Sequence, residues 1–289
     1  MLDSLLADLP ILLVAFALAL HVLGERRAVR LRRRPRGRRA RWRAVSFYGG
    51  LVTILVALEG PVDSYAARLF WVHMIQHVLL LSVAAPLIVL GDPWMSIWRP
   101  LPLGLRRAVA GDLARSGWAA PLRAAGGALG SPAGSWLAFS INLAAWHVPV
   151  LYDLTLTHLW VHILEHTTFL TFSILLWAQV IHSPPLRLRL SAIGRVYYMT
   201  AANLVGWAIS LVLAFSPRPL YPVYVHIADR PGGISALVDQ QLAAGVMLVL
   251  GSLSTVIFVF VGLYRWLGLD GDAARRASSP RPSAAGPAG

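Results

Sequence analysis

The sequence predicts an all-α integral membrane protein, a bundle of seven transmembrane helices, and three observations lead there. Of its 289 residues, 57% are hydrophobic and only 13% charged, with a mean hydropathy of +0.62, far from a soluble domain. The apolar residues collect in stretches of about 20, the length a helix needs to cross a bilayer. The arginines collect between those stretches.

The seven spans are expected at roughly 5–24, 44–62, 69–91, 133–152, 159–181, 194–215 and 239–264. The first has no basic flank before it and no small-residue cleavage site behind it, so it reads as a retained anchor rather than a signal peptide. The loop at 25–43 carries eleven arginines, from Arg26 to Arg43. The loop at 92–132 carries Arg99, Arg106, Arg107, Arg115 and Arg123, and the 182–195 turn carries Arg187, Arg189 and Arg195. The tail carries Arg265, Arg275, Arg276 and Arg281, while only Arg68, Arg218 and Arg230 fall on the opposite side. An odd number of spans places every arginine-rich segment on one face. The positive-inside rule makes that face cytoplasmic, with the N-terminus outside and the C-terminus inside. Residues 1–270 are thus expected to form one domain. The mixed Leu, Ala and Arg segment at 101–130 should lie on the inner surface as an amphipathic helix. Residues 271–289, rich in Ser, Pro, Ala and Gly, should be a disordered cytoplasmic tail.

Composition also excludes chemistry. Cysteine is absent, so there is no disulfide, and any metal needs nitrogen, oxygen or thioether ligands. All 26 basic residues are arginine, which rules out a Schiff base on lysine. The net charge of +13 and pI near 11.3 do not indicate nucleic acid, because no aromatic interleaving or nucleic-acid module accompanies the arginines. They read instead as topology anchors against anionic lipid.

Against this background five histidines lie inside apolar segments. His73 and His77 form one i, i+4 pair and His162 and His166 another, so each pair presents both imidazoles on one helix face. His147 is the fifth. Polar groups at membrane depth are costly and mark functional sites. With about 1.5 Å of rise per residue, His73 lies roughly 7 Å and His77 roughly 13 Å from the outer end of the third span. His147, His162, His166 and Asp239 fall in the outer parts of their own spans, so one shared metal site is expected. Glu165, at i+3 from His162, and Glu59 are candidate ligands or outer partners. Met74 and Met247 are candidate thioether contacts. His21 and His182 lie near the cytoplasmic ends and are expected at the interface. Imidazole suits copper, zinc or iron.

Five segments, in order, carry a family resemblance. These are His73-Met74-Ile75-Gln76-His77 followed by Pro86 to Pro93, Trp146-His147-Val148-Pro149-Val150-Leu151-Tyr152, and His162-Ile163-Leu164-Glu165-His166-Thr167-Thr168-Phe169. Tyr221-Pro222-Val223-Tyr224 and Asp239 to Met247 complete the set. Together, over about residues 45–265, they resemble the polytopic, caa-oxidase-associated CtaG-like cytochrome c oxidase assembly factors. One departure is Leu248, where that family usually has Trp. The resemblance implies a non-enzymatic assembly factor of the bacterial cytoplasmic membrane that aids copper insertion into haem–copper oxidase subunits, supplied by an extracytoplasmic copper donor. It implies that His73, His77, His147, His162, His166 and Asp239 are the functional positions.

Alternatives remain open at this level. His162-x-x-Glu165-His166 has the spacing of inverted zinc proteases, with Glu165 as general base of a metallohydrolase. Facing histidines could instead hold haem in a membrane electron carrier. A transporter is a fourth reading, although no span is broken in a paired fashion.

Overall fold

The computed structural model describes residues 8–31, 37–184, 188–227 and 229–278. They are helical throughout, with no strand among the described residues. In chain order the helices are α1 (Leu9–Leu31), α2 (Arg38–Leu58), α3 (Pro61–Ala66), α4 (Phe70–Val78), α5 (Ala85–Gly91), α6 (Trp94–Trp98) and α7 (Leu103–Arg115). They continue with α8 (Ala120–Leu129), α9 (Pro132–Trp146), α10 (Pro149–Thr157), α11 (Leu159–Ala178), α12 (Ala192–Phe215), α13 (Pro222–Val225) and α14 (Ala236–Ser278). A π-helical turn, Leu79–Ala84, joins α4 to α5 into one rod.

Five helical stretches are long and apolar enough to cross a membrane: Leu9–Arg30, Phe70–Gly91, Leu159–Ala178, Ala192–Phe215 and Ala236–Tyr264. Their outward faces carry large exposed apolar side chains such as Phe16, Phe215 and Phe260, a surface suited to lipid rather than water. The α4–α5 rod stands at the centre, packed against α2, α11 and α14. Helix α12 lies outside α14 and α9, while α1 rests on α2 and α6.

The remaining expected spans take a different form. The 133–152 stretch is divided into α9 and α10 at His147-Val148, because Val148 precedes Pro149 and is held extended at φ −69°, ψ 125°. Helix α2 starts at Arg38, inside the segment expected as an arginine loop, and α1 runs on to Leu31. Arginine is a good helix former, and its long side chain can carry the charge clear of the bilayer. Residues 32–36 of that segment lie outside the described residues. The 101–130 segment forms α7 and α8, neither of which buries a residue. Helix α14 extends to Ser278, into the segment expected to be disordered, and 279–289 lies outside the described residues.

Close helix contacts depend on two glycines. A Cβ on Gly91 would lie 2.8 Å from the backbone nitrogen of Phe47, and one on Gly24 would collide with the Ser96 carbonyl. After Gly91 the chain turns through Asp92, a non-glycine residue in the left-handed region at φ 50°. The Asp92 carboxylate accepts from Ser183 at 3.2 Å and pairs with Arg43 at 2.9 Å, which ties this corner to α2 and to the loop after α11. Burial pushes its carboxyl above the ordinary value, against the pull of Arg43. His21, expected near the cytoplasmic interface, is enclosed by protein. It is buried between α1 and α2, with its ring 4.5 Å from that of Phe47 and its Nδ1 3.2 Å from the Tyr48 hydroxyl. His182 is exposed.

Candidate metal centre

Helix α4 directs His73 and His77 to one face, and α11 directs Glu165 and His166 to meet them. Each of the four offers a ligand atom, and these atoms all lie within 4.8 Å of one another. His73 and Glu165 are fully enclosed, and His77 and His166 are nearly so. The Nε2 atoms of His73 and His77 stand 2.9 Å apart. Glu165 lies across both, 3.5 Å from His73 Nε2 and 3.4 Å from His77 Nε2. Across the helix interface, the His166 ring centroid is 5.8 Å from that of His73 and 5.5 Å from that of His77.

The donor atoms in this group lack the partners that burial demands. Neither Glu165 carboxylate oxygen completes a hydrogen bond, and the buried His166 Nε2 and His77 Nδ1 have none either. A carboxylate taken out of water without a cation or hydrogen bonds is strongly unfavourable. An ion bonded at 2.0–2.1 Å to nitrogen and oxygen would hold ligand atoms at most about 4 Å apart. Contraction of the group by about 1 Å would therefore place all four atoms in one coordination sphere. Three imidazole nitrogens and one carboxylate suit copper or zinc.

The local chain explains why α4 and α11 meet in this register. The π turn after His77 breaks the regular ladder, and the Leu81 carbonyl accepts from Ser173 Oγ at 2.7 Å and Trp177 Nε1 at 3.1 Å, both on α11. Such turns recur at functional sites. Gln76 donates to the Ala57 carbonyl at 2.8 Å and to Asp63 Oδ1 at 3.0 Å, which fixes α4 against the α2–α3 corner.

An aromatic wall backs His73. The Tyr152 ring lies 5.2 Å from the His73 ring and 4.4 Å from that of Tyr221. The Tyr224 hydroxyl donates to the Ala66 carbonyl at 2.7 Å and stands 3.4 Å from His73 Nδ1. Burial holds the Tyr224 and Tyr221 phenols above their ordinary value, so both stay protonated.

Of the expected site residues, the structure gathers His73, His77 and His166, with Glu165 at the centre. His162 stands beside the group, its ring 4.2 Å from His166 and 5.3 Å from His73. His147 stands on the far side, 6.3 Å from the His77 ring, where its Nδ1 donates to the Leu143 carbonyl at 2.7 Å. Asp239 lies elsewhere. Its Oδ2 accepts from the Phe70 N–H at 3.1 Å and its Oδ1 from the Trp71 N–H at 3.0 Å, and Arg230 is 3.4 Å away. It serves as the N-terminal cap of α4, whose own N-cap, Leu69, supplies no side chain for that role. Met74 is buried among Phe70, Tyr152 and Tyr224, and Met247 packs against the same cluster. Glu59 lines a cavity together with His162. Sequence reasoning did not single out Tyr224, Gln76 or the π turn. Tyr224 sat in one of the resembling segments, which was the available signal.

Comparison with known families matches residues 26–268 to the model described as cytochrome c oxidase caa3 assembly factor. No curated protein and no solved structure matches the chain.

Proposed function

The chain belongs to the cytochrome c oxidase caa3 assembly factor family, and on that premise we propose that it carries copper as cargo for insertion into a haem–copper oxidase. In this reading it is a multi-pass protein of the bacterial cytoplasmic membrane with seven spans and its N-terminus outside. The five long apolar helices support this, with α2 and the α9–α10 pair supplying the other two crossings. The arginine-bearing segments then share the cytoplasmic face, against anionic lipid.

The observation that carries the proposal is the meeting of four buried ligand atoms from His73, His77, Glu165 and His166 within 4.8 Å. A site among the outer ends of the helices suits a donor outside and an oxidase subunit reached within the membrane. Glu165 touches two imidazoles directly, which favours a ligand role over that of a general base. The close ring spacing favours an ion over a haem, whose macrocycle needs a slot between its axial imidazoles.

Metal analysis of the detergent-purified chain tests the reading. The His73→Ala/His77→Ala and His162→Ala/His166→Ala variants are each expected to lose copper, and cells carrying them to lose oxidase activity. Full copper content in both variants would overturn it.

A further inference from the structure

The four-residue group lies between two cavities, and each cavity is lined by one of the histidines that stand outside the group. The rings form a file: His162 beside His166 and His73, then His77, then His147. His147 approaches the file at His77 alone, 6.3 Å between centroids.

The first cavity, about 440 Å³, lies among α1, α2 and α11 and is lined mostly by apolar side chains. One part of its wall is formed by Glu59, Asp63, His162 and His166. His166 is 6% exposed, and its Nε2, the His162 Nε2 and the Glu59 Oε1 are all buried without a partner. Two carboxylates on a low-dielectric wall concentrate cations.

The second cavity, about 70 Å³, is bounded by His77, His147, Met247, Ser82, Trp207 and Thr255, and no carboxylate lines it. His77 Nδ1 and His147 Nε2 are both buried without a partner there. Because the Leu143 carbonyl takes the proton on His147 Nδ1, the Nε2 carries a free lone pair. The His147 imidazole and the Met247 thioether are neutral donors that suit monovalent copper. Without the charge of Glu165 they hold a cation less firmly than the group does.

We propose that His162 and His147 are transient ligands on opposite sides of the group, so that a copper ion enters from the cavity holding Glu59 and Asp63 and leaves through the cavity holding His147 and Met247. This rests on the metal reading of the group. At each transfer one coordination bond forms as another breaks, with no change of oxidation state. On entry the bond to His162 breaks as one to His166 forms, and on exit the bond to His77 breaks as one to His147 forms.

Kinetics on the purified full chain test this, with copper(I) supplied from a weak chelator and withdrawn by a strong chromogenic one. His162→Gln and Glu59→Gln are each expected to slow loading by about tenfold and to alter release by less than about twofold. His147→Gln is expected to slow release by about tenfold and to alter loading by less than about twofold. Rates unchanged in all three variants, equal slowing of both steps, or the reverse assignment would overturn the route. His166→Ala separates the two ideas. If it holds copper as the wild type does, the group itself is wrong. If it loses copper while the other variants are kinetically silent, only the route falls.

Discussion

The Tyr224 hydroxyl stands 3.4 Å from Nδ1 of His73, on the side of the ring away from the proposed metal-binding group. Its proton goes to the Ala66 carbonyl at 2.7 Å, so toward His73 Nδ1, 3.4 Å away, it can only accept. A hydrogen on Nδ1 completes that contact and leaves the lone pair on Nε2, which faces His77 and Glu165. Removing the hydroxyl frees the tautomer and the ring. Tyr224→Phe is expected to weaken copper binding by about 10–100-fold, the usual effect of losing an outer partner of a ligating imidazole. Competition titration against a chelator measures it, and an unchanged affinity would refute the assignment.

Glu165 brings the group its one negative charge, in a place where no hydrogen bond supports it. Glu165→Gln keeps the volume and removes the charge. Copper affinity is expected to fall by at least about tenfold, roughly 1.4 kcal/mol. The metal-free protein is expected to melt at the same temperature or higher, because an unsupported buried charge has been removed. Copper is expected to raise the melting temperature of the wild type and to raise that of the variant less. A metal-free variant that melts well below the wild type would contradict this account.

Asp239 is expected to act on stability rather than on the ion. Asp239→Ala leaves the N–H groups of Phe70 and Trp71 without an acceptor, at a cost of about 2–3 kcal/mol. Asp239→Asn, which keeps one acceptor, should lose about half as much. Denaturation in detergent gives the stabilities, and metal analysis of the folded fraction should show copper retained. Loss of copper without loss of stability would make Asp239 a ligand.

Two glycine substitutions should have opposite signs. Gly91→Ala forces a methyl onto the Phe47 backbone and is expected to cost about 1–3 kcal/mol. Gly111→Ala, within α7 and facing open space, is expected to gain about 0.5–1 kcal/mol. Melting temperatures of the two variants check the pair. Equal effects would mean that α2 and α5 are not in close contact at Gly91.

Much of the architecture was legible because it depends on neighbours in sequence. Runs of apolar residues mark five of the spans directly, and i, i+4 spacing places each histidine pair on one face. The division at His147-Val148 leaves the apolar run unbroken, and only Pro149 carries its cause. The helical ends of the arginine segment are masked by its charge, although arginine is a good helix former.

The sequence by itself determined the membrane class, the family resemblance and the facts that His73 pairs with His77 and His162 with His166, since side-chain periodicity along a helix is local. Tertiary structure decided which polar groups meet. It put Glu165 against two imidazoles of α4, set His147 and His162 on opposite sides, and gave Asp239 to the backbone of another helix. The physical reason is that helix azimuth and register come from contacts between segments far apart in the chain. Examples are the Leu81 carbonyl held by Ser173 and Trp177, and Gln76 held by Ala57, which no local pattern encodes.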